Sequence, residues 1–292
     1  MLAMPPAHVG GLSILSRSLI ARRCVVVASG PFDPAAVLGL LERERVTLMS
    51  LVPTMLRRLL DADPAWSPPP SLRAVLVGGA PFPEPLRQRA LARQVPALAT
   101  YGCTEACSQV ATQGPSEIGR PGSGRPLPGI EVRIECGEIQ VRGNVLMDGY
   151  LGEERSADTW AEGGWLRTGD QGRFLPDGQL QVLGRLDDLI VSGGENVSPL
   201  EVEAWLLTVS GVSSACVFGI PDPDWGQAVA AALVVDPARF DFAILSEAIR
   251  EGLAGHKRPK GIAILDELPL NRSGKVDRAR MLSVASARLR SV

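Results

Sequence analysis

Residues 73–105 read RAVLVGGAPFPEPLRQRALARQVPALATYGCTE, and their reading sets the fold class. Ala74 to Val77 are four consecutive apolar residues, the composition of a buried central strand, and the run stops abruptly at Gly78-Gly79-Ala80. A helix is expected around PEPLRQRALARQ, and PALAT reads as a second short strand ending at Tyr101-Gly102. Strand, helix and strand at this spacing belong to a parallel sheet covered by helices. Ligands of open α/β sheets bind at the carboxyl ends of strands, where loops offer backbone groups and side chains together. Gly78-Gly79-Ala80 and Tyr101-Gly102-Cys103-Thr104-Glu105 occupy two such ends. Taken alone, the glycine pair is equally well an ordinary strand-to-helix turn. The second segment says more, because Thr104 and Glu105 put a hydroxyl and a carboxylate beside a close turn, a combination suited to phosphate plus Mg²⁺.

The same alternation extends upstream. Asp33-Pro34 is a helix cap followed by proline at the first helical position and opens AAVLGLLERER; VTLMSLV follows as a strand, and Pro53 opens the helix TMLRRLL. Downstream of about residue 116, glycine and proline punctuate the short alternating strands GIEVRI, GEIQVRG and GQLQVLG, a small β-rich subdomain. Within it, GGWLRTGDQGRF places Asp170 after Gly169 in what reads as a turn; on position alone Asp170 is a turn former and Arg185 a solvated charge. A further unit begins near GRLDDLIVSGGENVSPLEVEAWLL. Ser198-Pro199-Leu200-Glu201 reads as a capping box, followed by the strands SACVFGI, AVAAALVV and IAILDEL, a turn around Pro221, Pro223 and Trp225-Gly226, and two packed helices, a compact α+β unit.

Composition narrows the partners. The chain has 292 residues, enough for about two domains, and 30 Lys+Arg nearly cancel 32 Asp+Glu, so no strongly basic surface for nucleic acid is imposed. Arg17, Arg22 and Arg23 interrupt the most hydrophobic early stretch, so no membrane span is expected. The N-terminus lacks a basic segment followed by an apolar one, and the five cysteines and two histidines lack paired metal-ligand spacing; a reduced, cytoplasmic setting is the expectation. Only three of the basic residues are lysines, Lys257, Lys260 and Lys275, all near the C-terminus.

PPAHVGGL, VLVGGAPFP, TYGCTEA, GRPLPGIEVRI, GEIQVRGNVLMDGYL, GWLRTGDQGRF, GRLDDLIVSGGENVSPLEVE and PLNRSGKVDR occur in this order across nearly the whole chain. In these motifs the sequence resembles the C-terminal part of adenylate-forming enzymes, the superfamily of acyl-CoA synthetases and nonribosomal adenylation domains. The resemblance implies an α/β fold: part of a large N-terminal domain over residues 1–184, with a sheet subdomain to about 115 and a β-rich subdomain over 116–184. A hinge at 185–188 and a small mobile α+β domain over 189–292 would follow.

The implied activity is that of an acid–thiol ligase. A carboxylate attacks the α-phosphate of ATP to give an acyl-adenylate, and coenzyme A then takes the acyl group as a thioester. By resemblance, Gly78, Gly79 and Ala80 would lie along the adenine with Tyr101 packed on the ring and Gly102 beside it. Thr104 would touch phosphate, Glu105 would hold Mg²⁺, and Asp170 and Arg185 would bind the ribose. His8 matches a residue near the acyl pocket, Asp187 the hinge, and Gly193-Gly194 the lining of the pantetheine tunnel. Lys275 matches the catalytic lysine, whose ammonium would stabilise charge at the pentavalent phosphorus. A compact, rotatable point charge is what lysine supplies and arginine does not, and arginine has replaced lysine nearly everywhere else here.

The family's Ser/Thr/Gly-rich triphosphate loop ending in Pro-Lys has no counterpart in the sequence; the glycine cluster from Gly119 to Gly129 contains no lysine. Three readings stay open: a fragment or wrongly assigned start of a full ligase, a chain working with a separate upstream polypeptide, and a nucleotide-binding relative without synthetase activity. Within the family, SLVPTMLRRLL, AVLVGGAPFP and the compact C-terminal domain are most similar to the o-succinylbenzoate–CoA ligases of menaquinone synthesis, with other aryl and acyl acid–CoA ligases as alternatives. The expected partners are a small carboxylic acid, ATP and coenzyme A, and nothing in the sequence sets an oligomeric state.

Overall fold

Asp33 starts a helix as its chemistry requires: its carboxylate accepts a hydrogen bond from Ala35 N at 3.0 Å, and Pro34 takes the first helical position. In the computed structural model, which describes residues 1–152, 156–271 and 274–292, this helix belongs to a unit spanning Met1–Val182. Its elements are α1 (Val9–Ile20), α2 (Pro34–Arg43), β1 (Leu48–Leu51), α3 (Pro53–Ala62), β2 (Ala74–Val77), α4 (Glu84–Ala92), β3 (Ala97–Tyr101), β4 (Ala111–Thr112), β5 (Arg125–Pro126), β6 (Ile130–Glu135), β7 (Glu138–Gly143), β8 (Trp160–Ala161), β9 (Trp165–Phe174) and β10 (Leu180–Arg185), the last running on into the second unit.

The first sheet has the order β1-β2-β3-β4-β5, with β1, β2 and β3 parallel as the alternation of helix and strand demands. Met49, Leu51, Val75, Val77 and Ala97 pack with Val37 and Leu41 of α2, Leu56, Leu59 and Leu60 of α3, and Ala90 of α4. Each buried leucine or valine contributes about 1.5–3 kcal/mol, so this face anchors the loops beyond the strands. The sheet reaches past residue 115 to take in β5, in the stretch expected to form the β-rich subdomain. Gly124 makes that possible: at φ +82°, a Cβ there would lie 1.9 Å from the Thr112 backbone carbon. A second, antiparallel sheet follows with the order β10-β9-β7-β6, β8 pairing with β9.

Two local expectations for this unit are corrected. Asp170 does not sit in a turn; it lies inside β9, a ten-residue strand. The pairing of β7 with β9 shifts there, from Gln140 opposite Arg167 to Glu138 opposite Gln171, so Ile139 faces Thr168, Gly169 and Asp170 together. Gly169 at φ +68° allows this β-bulge, which mimics a turn signal in sequence. Helix α1 was not foreseen, because Gly10 and Gly11 weaken its first turn. Gly11 is there for contact, since a Cβ would lie 2.2 Å from Pro5 O.

The second unit, Leu183–Val292, contains β11 (Ile190–Ser192), β12 (Glu195–Val197), α5 (Pro199–Leu206), β13 (Val212–Asp222), β14 (Gly226–Val235), α6 (Phe242–Gly252), β15 (Gly261–Ile264), α7 (Arg278–Ala285) and β16 (Arg290–Ser291). Its sheet has the order β12-β11-β14-β15-β16, with β13 pairing with β14. Val202, Leu206, Leu245 and Ile249 bury one face of that sheet, and Met281 and Ala285 cover Cys216, Ala230 and Ala263. The second cover is α7, a third helix where two were expected. Pro221 lies within β13 rather than in a turn, which shrinks to residues 223–225; β13 is an edge strand, where proline is tolerated. Ser198 precedes α5 but makes no side-chain cap. Its hydroxyl donates instead to Leu183 O at 2.9 Å, and Glu201, expected to complete the capping box, pairs with Lys257 Nζ at 2.6 Å. Among the described residues, no helix is long and apolar enough to cross a membrane.

Candidate functional site

In the first unit the two loops singled out by sequence lie side by side at the ends of β2 and β3. A Cβ at Gly78 would lie 2.6 Å from Thr100 Cγ2 and 2.9 Å from Thr100 O, so only glycine lets the β2 end approach β3 so closely. Gly79 follows at φ +76° and is exposed, and Ala80 is half-buried. Beyond Tyr101 the chain folds back on itself: Ser108 N donates to Cys103 O at 3.0 Å, and a Cβ at Gly102 would lie 1.5 Å from Ser108 O. Glycine at 102 is therefore obligatory for this loop.

Thr104, exposed, and Glu105 begin a single 3₁₀ turn inside it. Tyr150 Oη donates to Glu105 Oε1 at 2.9 Å, and Met147 N donates to Glu105 O at 2.8 Å, which fixes the carboxylate's direction. Between them Cys103 is half-buried, and its thiol pKa is pushed up to about 12 by burial, with the Glu105 charge adding to the effect. Among the described residues no cluster of three or more His, Cys, Asp or Glu side chains could enclose a metal ion. One carboxylate and one neighbouring hydroxyl fit Mg²⁺ only where substrate phosphates supply further ligands, the usual arrangement for that ion.

Tyr101 and Asp170, 69 residues apart, meet here: Tyr101 Oη donates to Asp170 Oδ2 at 2.7 Å. Tyr101 is buried, and burial, followed by the Asp170 charge, raises its phenol pKa above the ordinary value, so the hydroxyl is a fixed donor. Asp170 is half-buried, with its own N–H donating to Thr168 Oγ1 at 3.1 Å.

His8 caps α1, its Nδ1 accepting from Gly10 N at 3.1 Å. Arg17, on the same helix, was not singled out from the sequence. Its guanidinium donates to Ser13 O at 2.9 Å, to Ser13 Oγ at 3.1 Å and to Gln109 Oε1, all uncharged, and burial lowers its pKa. As one of three arginines interrupting an apolar stretch, it gave no sign of that setting.

The remaining candidates lie in the second unit. Arg185 pairs with Asp187 at 3.2 Å on an exposed surface. Gly193 and Gly194, at φ +61° and +84°, form the two-residue turn between β11 and β12, for which two positive φ values are the favoured geometry. Gly193 N donates to Trp225 O at 2.9 Å, and a Cβ at Gly193 would lie 2.4 Å from the Trp225 ring. Lys275 is half-buried: Lys275 N donates to Asn271 Oδ1 at 3.1 Å, and Asn271 N to Lys275 O at 2.8 Å. Arg272 and Ser273 of the same motif lie outside the described residues.

Residues 1–151 match the family described as AMP-binding enzyme, and residues 201–275 match the AMP-binding enzyme C-terminal domain. The chain belongs to the AMP-binding enzyme family. Within it, this AMP-binding enzyme chain is 42% identical over 298 residues to 2-succinylbenzoate–CoA ligase of Bacillus pumilus strain SAFR-032, covering 97% of this chain and 60% of the relative. Among solved structures it resembles o-succinylbenzoate CoA synthetase from Bacillus subtilis in complex with the acyl-adenylate intermediate OSB-AMP, with a TM-score of 0.83 and 37% identity over 96% of this chain and 59% of that one. It also resembles ATP-bound MatB from Rhodopseudomonas palustris, with a TM-score of 0.88 and 30% identity over 97% of this chain and 60% of that one. The AMP-binding enzyme chain thus spans about 60% of the length of the relatives it matches.

Proposed function

We propose that the chain carries the nucleotide and acyl-adenylate machinery of an ATP-dependent acid–thiol ligase, with o-succinylbenzoate as its acid. The observation that carries this reading is the Tyr101–Asp170 pair, 2.7 Å apart, which joins the end of β3 to the bulge of β9 beside the Thr104-Glu105 turn. Adenine lies along Gly78, Gly79 and Ala80 against Tyr101 and Gly102, where the absence of side chains allows close approach. Asp170, oriented by Tyr101, accepts from the ribose hydroxyls, and Arg185 contributes a cation toward the same sugar.

In the first half-reaction a carboxylate oxygen of the acid attacks the α-phosphorus, and the bond to the bridging oxygen of pyrophosphate breaks. Negative charge rises on the α-phosphoryl oxygens. Thr104 offers a hydroxyl there, and Lys275 supplies the ammonium that stabilises this charge. Glu105, together with the phosphates, would hold Mg²⁺, which would supply Lewis-acid neutralisation of that charge. In the second half-reaction the thiol sulfur of coenzyme A attacks the acyl carbon, the bond from that carbon to the α-phosphate oxygen breaks, the thiol proton passes to solvent, and AMP leaves. Asp187 serves as the pivot between the steps, and the Gly193-Gly194 turn borders the path of the pantetheine arm.

Two observations support the acid named. The relatives called 2-succinylbenzoate–CoA ligase reach 42% identity. In addition, Arg17 presents an exposed cation whose hydrogen-bond partners are uncharged, on α1, the helix that His8 caps, and bonded to Gln109 of the 102–112 segment, a setting suited to the second carboxylate of a diacid. The protein acts as a soluble enzyme of the cytoplasm on this reading.

AMP carries the adenine, ribose and α-phosphate that the residues named above are proposed to bind. Calorimetry of AMP binding to the chain tests the reading, with Asp170→Ala expected to weaken binding more than tenfold, in line with losing charge-assisted hydrogen bonds. Thioester formation from o-succinylbenzoate, benzoates and fatty acids then tests the acid. No AMP binding by the folded chain would refute the reading.

A further inference from the structure

Bulging β9 takes the N–H groups of Gly169 and Asp170 out of the strand ladder. Buried backbone groups in that position need other partners. The structure supplies them all from side chains. Thr168 Oγ1 donates to Ile139 O at 2.7 Å and accepts from Asp170 N at 3.1 Å. Gly169 N donates to Glu138 Oε1 at 3.1 Å.

Glu138 itself sits directly across from Gln171, at the point where the register shifts, and is 7% exposed. Its other oxygen, Oε2, accepts from Arg167 Nη1 at 3.3 Å and from Gln140 Nε2 at 3.4 Å, while Gln140 Oε1 accepts from Arg133 at 2.8 and 3.0 Å. A carboxylate buried at this depth needs such partners to be tolerated. One oxygen is thereby anchored in a polar network, and the other reaches the residue immediately before Asp170.

We propose that Glu138 is a positioning residue for Asp170: through the Gly169 N–H it holds the β9 bulge that aims the Asp170 carboxylate at the ribose of a bound adenine nucleotide. The assignment rests on the role given to Asp170 above and adds the device that fixes it. Asp170 follows Gly169, a residue with no side chain and a positive φ, so the backbone there has no steric preference of its own. The Tyr101 hydroxyl restrains the carboxylate from one side; the bulge sets where its Cα stands.

The test compares AMP with 2′,3′-dideoxy-AMP by calorimetry on the folded chain, since the ratio of the two affinities reads only the ribose contact. Wild type is expected to prefer AMP about tenfold, the value of one charge-assisted hydrogen bond. Glu138→Gln keeps an oxygen acceptor toward Gly169 N and is expected to keep the ratio. Glu138→Ala and Glu138→Asp, the second of which retains the charge while shortening its reach, are expected to bring the ratio to within about twofold of unity. If Glu138→Ala does not fold, Glu138→Asp decides, with thermal unfolding establishing that it is native. A folded Glu138→Asp or Glu138→Ala protein with the wild-type ratio would overturn the role of Glu138 while leaving that of Asp170 intact. A wild-type ratio of one would overturn the ribose role of Asp170 and the inference with it.

Discussion

Tyr101 Oη lies 2.7 Å from Asp170 Oδ2, tying the last residue of β3 to the bulge of β9 and so one sheet of the first unit to the other. A hydroxyl donating to a carboxylate contributes more than a neutral pair, about 1.5–3 kcal/mol. The bond therefore couples the stability of the unit to the aim of its candidate ribose acceptor.

Removing that hydroxyl should be felt in both. Tyr101→Phe keeps the ring and its burial but leaves Asp170 without this donor. AMP affinity is expected to fall about three- to tenfold and the unfolding free energy by about 1–2 kcal/mol. Calorimetry with AMP and urea denaturation check the two effects; unchanged AMP affinity would count against the orienting role of Tyr101.

Gly102→Ala makes a sharper demand on the backbone. The new methyl would lie 1.5 Å from Ser108 O, a distance no flexible side chain can relieve. The 102–108 loop must open, displacing Thr104 and Glu105. Loss of AMP binding is expected together with destabilisation of more than about 2 kcal/mol, the size typical of strain at such a position. Gly194→Ala, with no atom within 4 Å of its Cβ, meets only the cost of its positive φ and is the control.

The second unit carries a different vulnerability. Arg278 pairs with both oxygens of Glu203, at 2.8 Å and 3.0 Å, donates to Val217 O at 2.8 Å, and lies 3.6 Å from Asp188. Burial raises the Glu203 pKa and the arginine opposes that shift, while Glu203 raises the pKa of Arg278. We take the pair as ionised, because each carboxylate oxygen has its own N–H donor. Arg278→Ala is expected to cost about 3–5 kcal/mol by stranding Glu203, and Arg278→Met with Glu203→Leu to recover most of it. Urea denaturation of the wild type and these two variants checks this; a double variant as unstable as Arg278→Ala would refute the explanation.

Alkaline pH should unfold the protein earlier than ordinary side-chain values imply. Burial raises the thiol pKa of Cys103 and of Cys216 to about 12, and Tyr101 is raised as well. In each case the folded state holds the proton more tightly than the unfolded chain. Stability is therefore fully present below the unfolded thiol value near 8.5 and is lost as pH climbs from there toward 12. A melting temperature that declines steadily above about pH 8.5, and less steeply in Cys216→Ala, is the expected outcome. Mass spectrometry after brief alkylation at pH 8 should find exposed Cys24, Cys107 and Cys136 modified well before Cys103 and Cys216.

Much of the architecture was legible locally. Asp33-Pro34, Pro53 and the apolar run Ala74 to Val77 each state their structure within a few residues, because caps, fixed proline φ and unbroken hydrophobicity act on the chain nearby. The eight motifs carried the family in the same way. The errors share a cause: Ser198 and Glu201 spell a capping box, but Leu183 O and Lys257, brought close by folding, took their side chains. Gly169-Asp170 spells a turn, but Ile139 and Glu138 on the neighbouring strand made it a bulge. Glu138 and Arg17 gave no signal as polar residues in strand and helix; only the burial of Glu138 and the partners of both distinguish them.

By itself, then, the sequence determined where α2, α3 and β2 begin, that β1 to β3 run parallel, and which glycine-rich loops stand at their ends. Only the tertiary structure decided that Tyr101 orients Asp170 from 69 residues away, that Glu138 holds the bulge beneath it, and that Arg278 is clamped to Glu203 across 75 residues. The division is physical. Backbone preference and hydrophobic run length are encoded in neighbouring residues, whereas a buried hydrogen bond depends on which groups lose water together when distant segments pack.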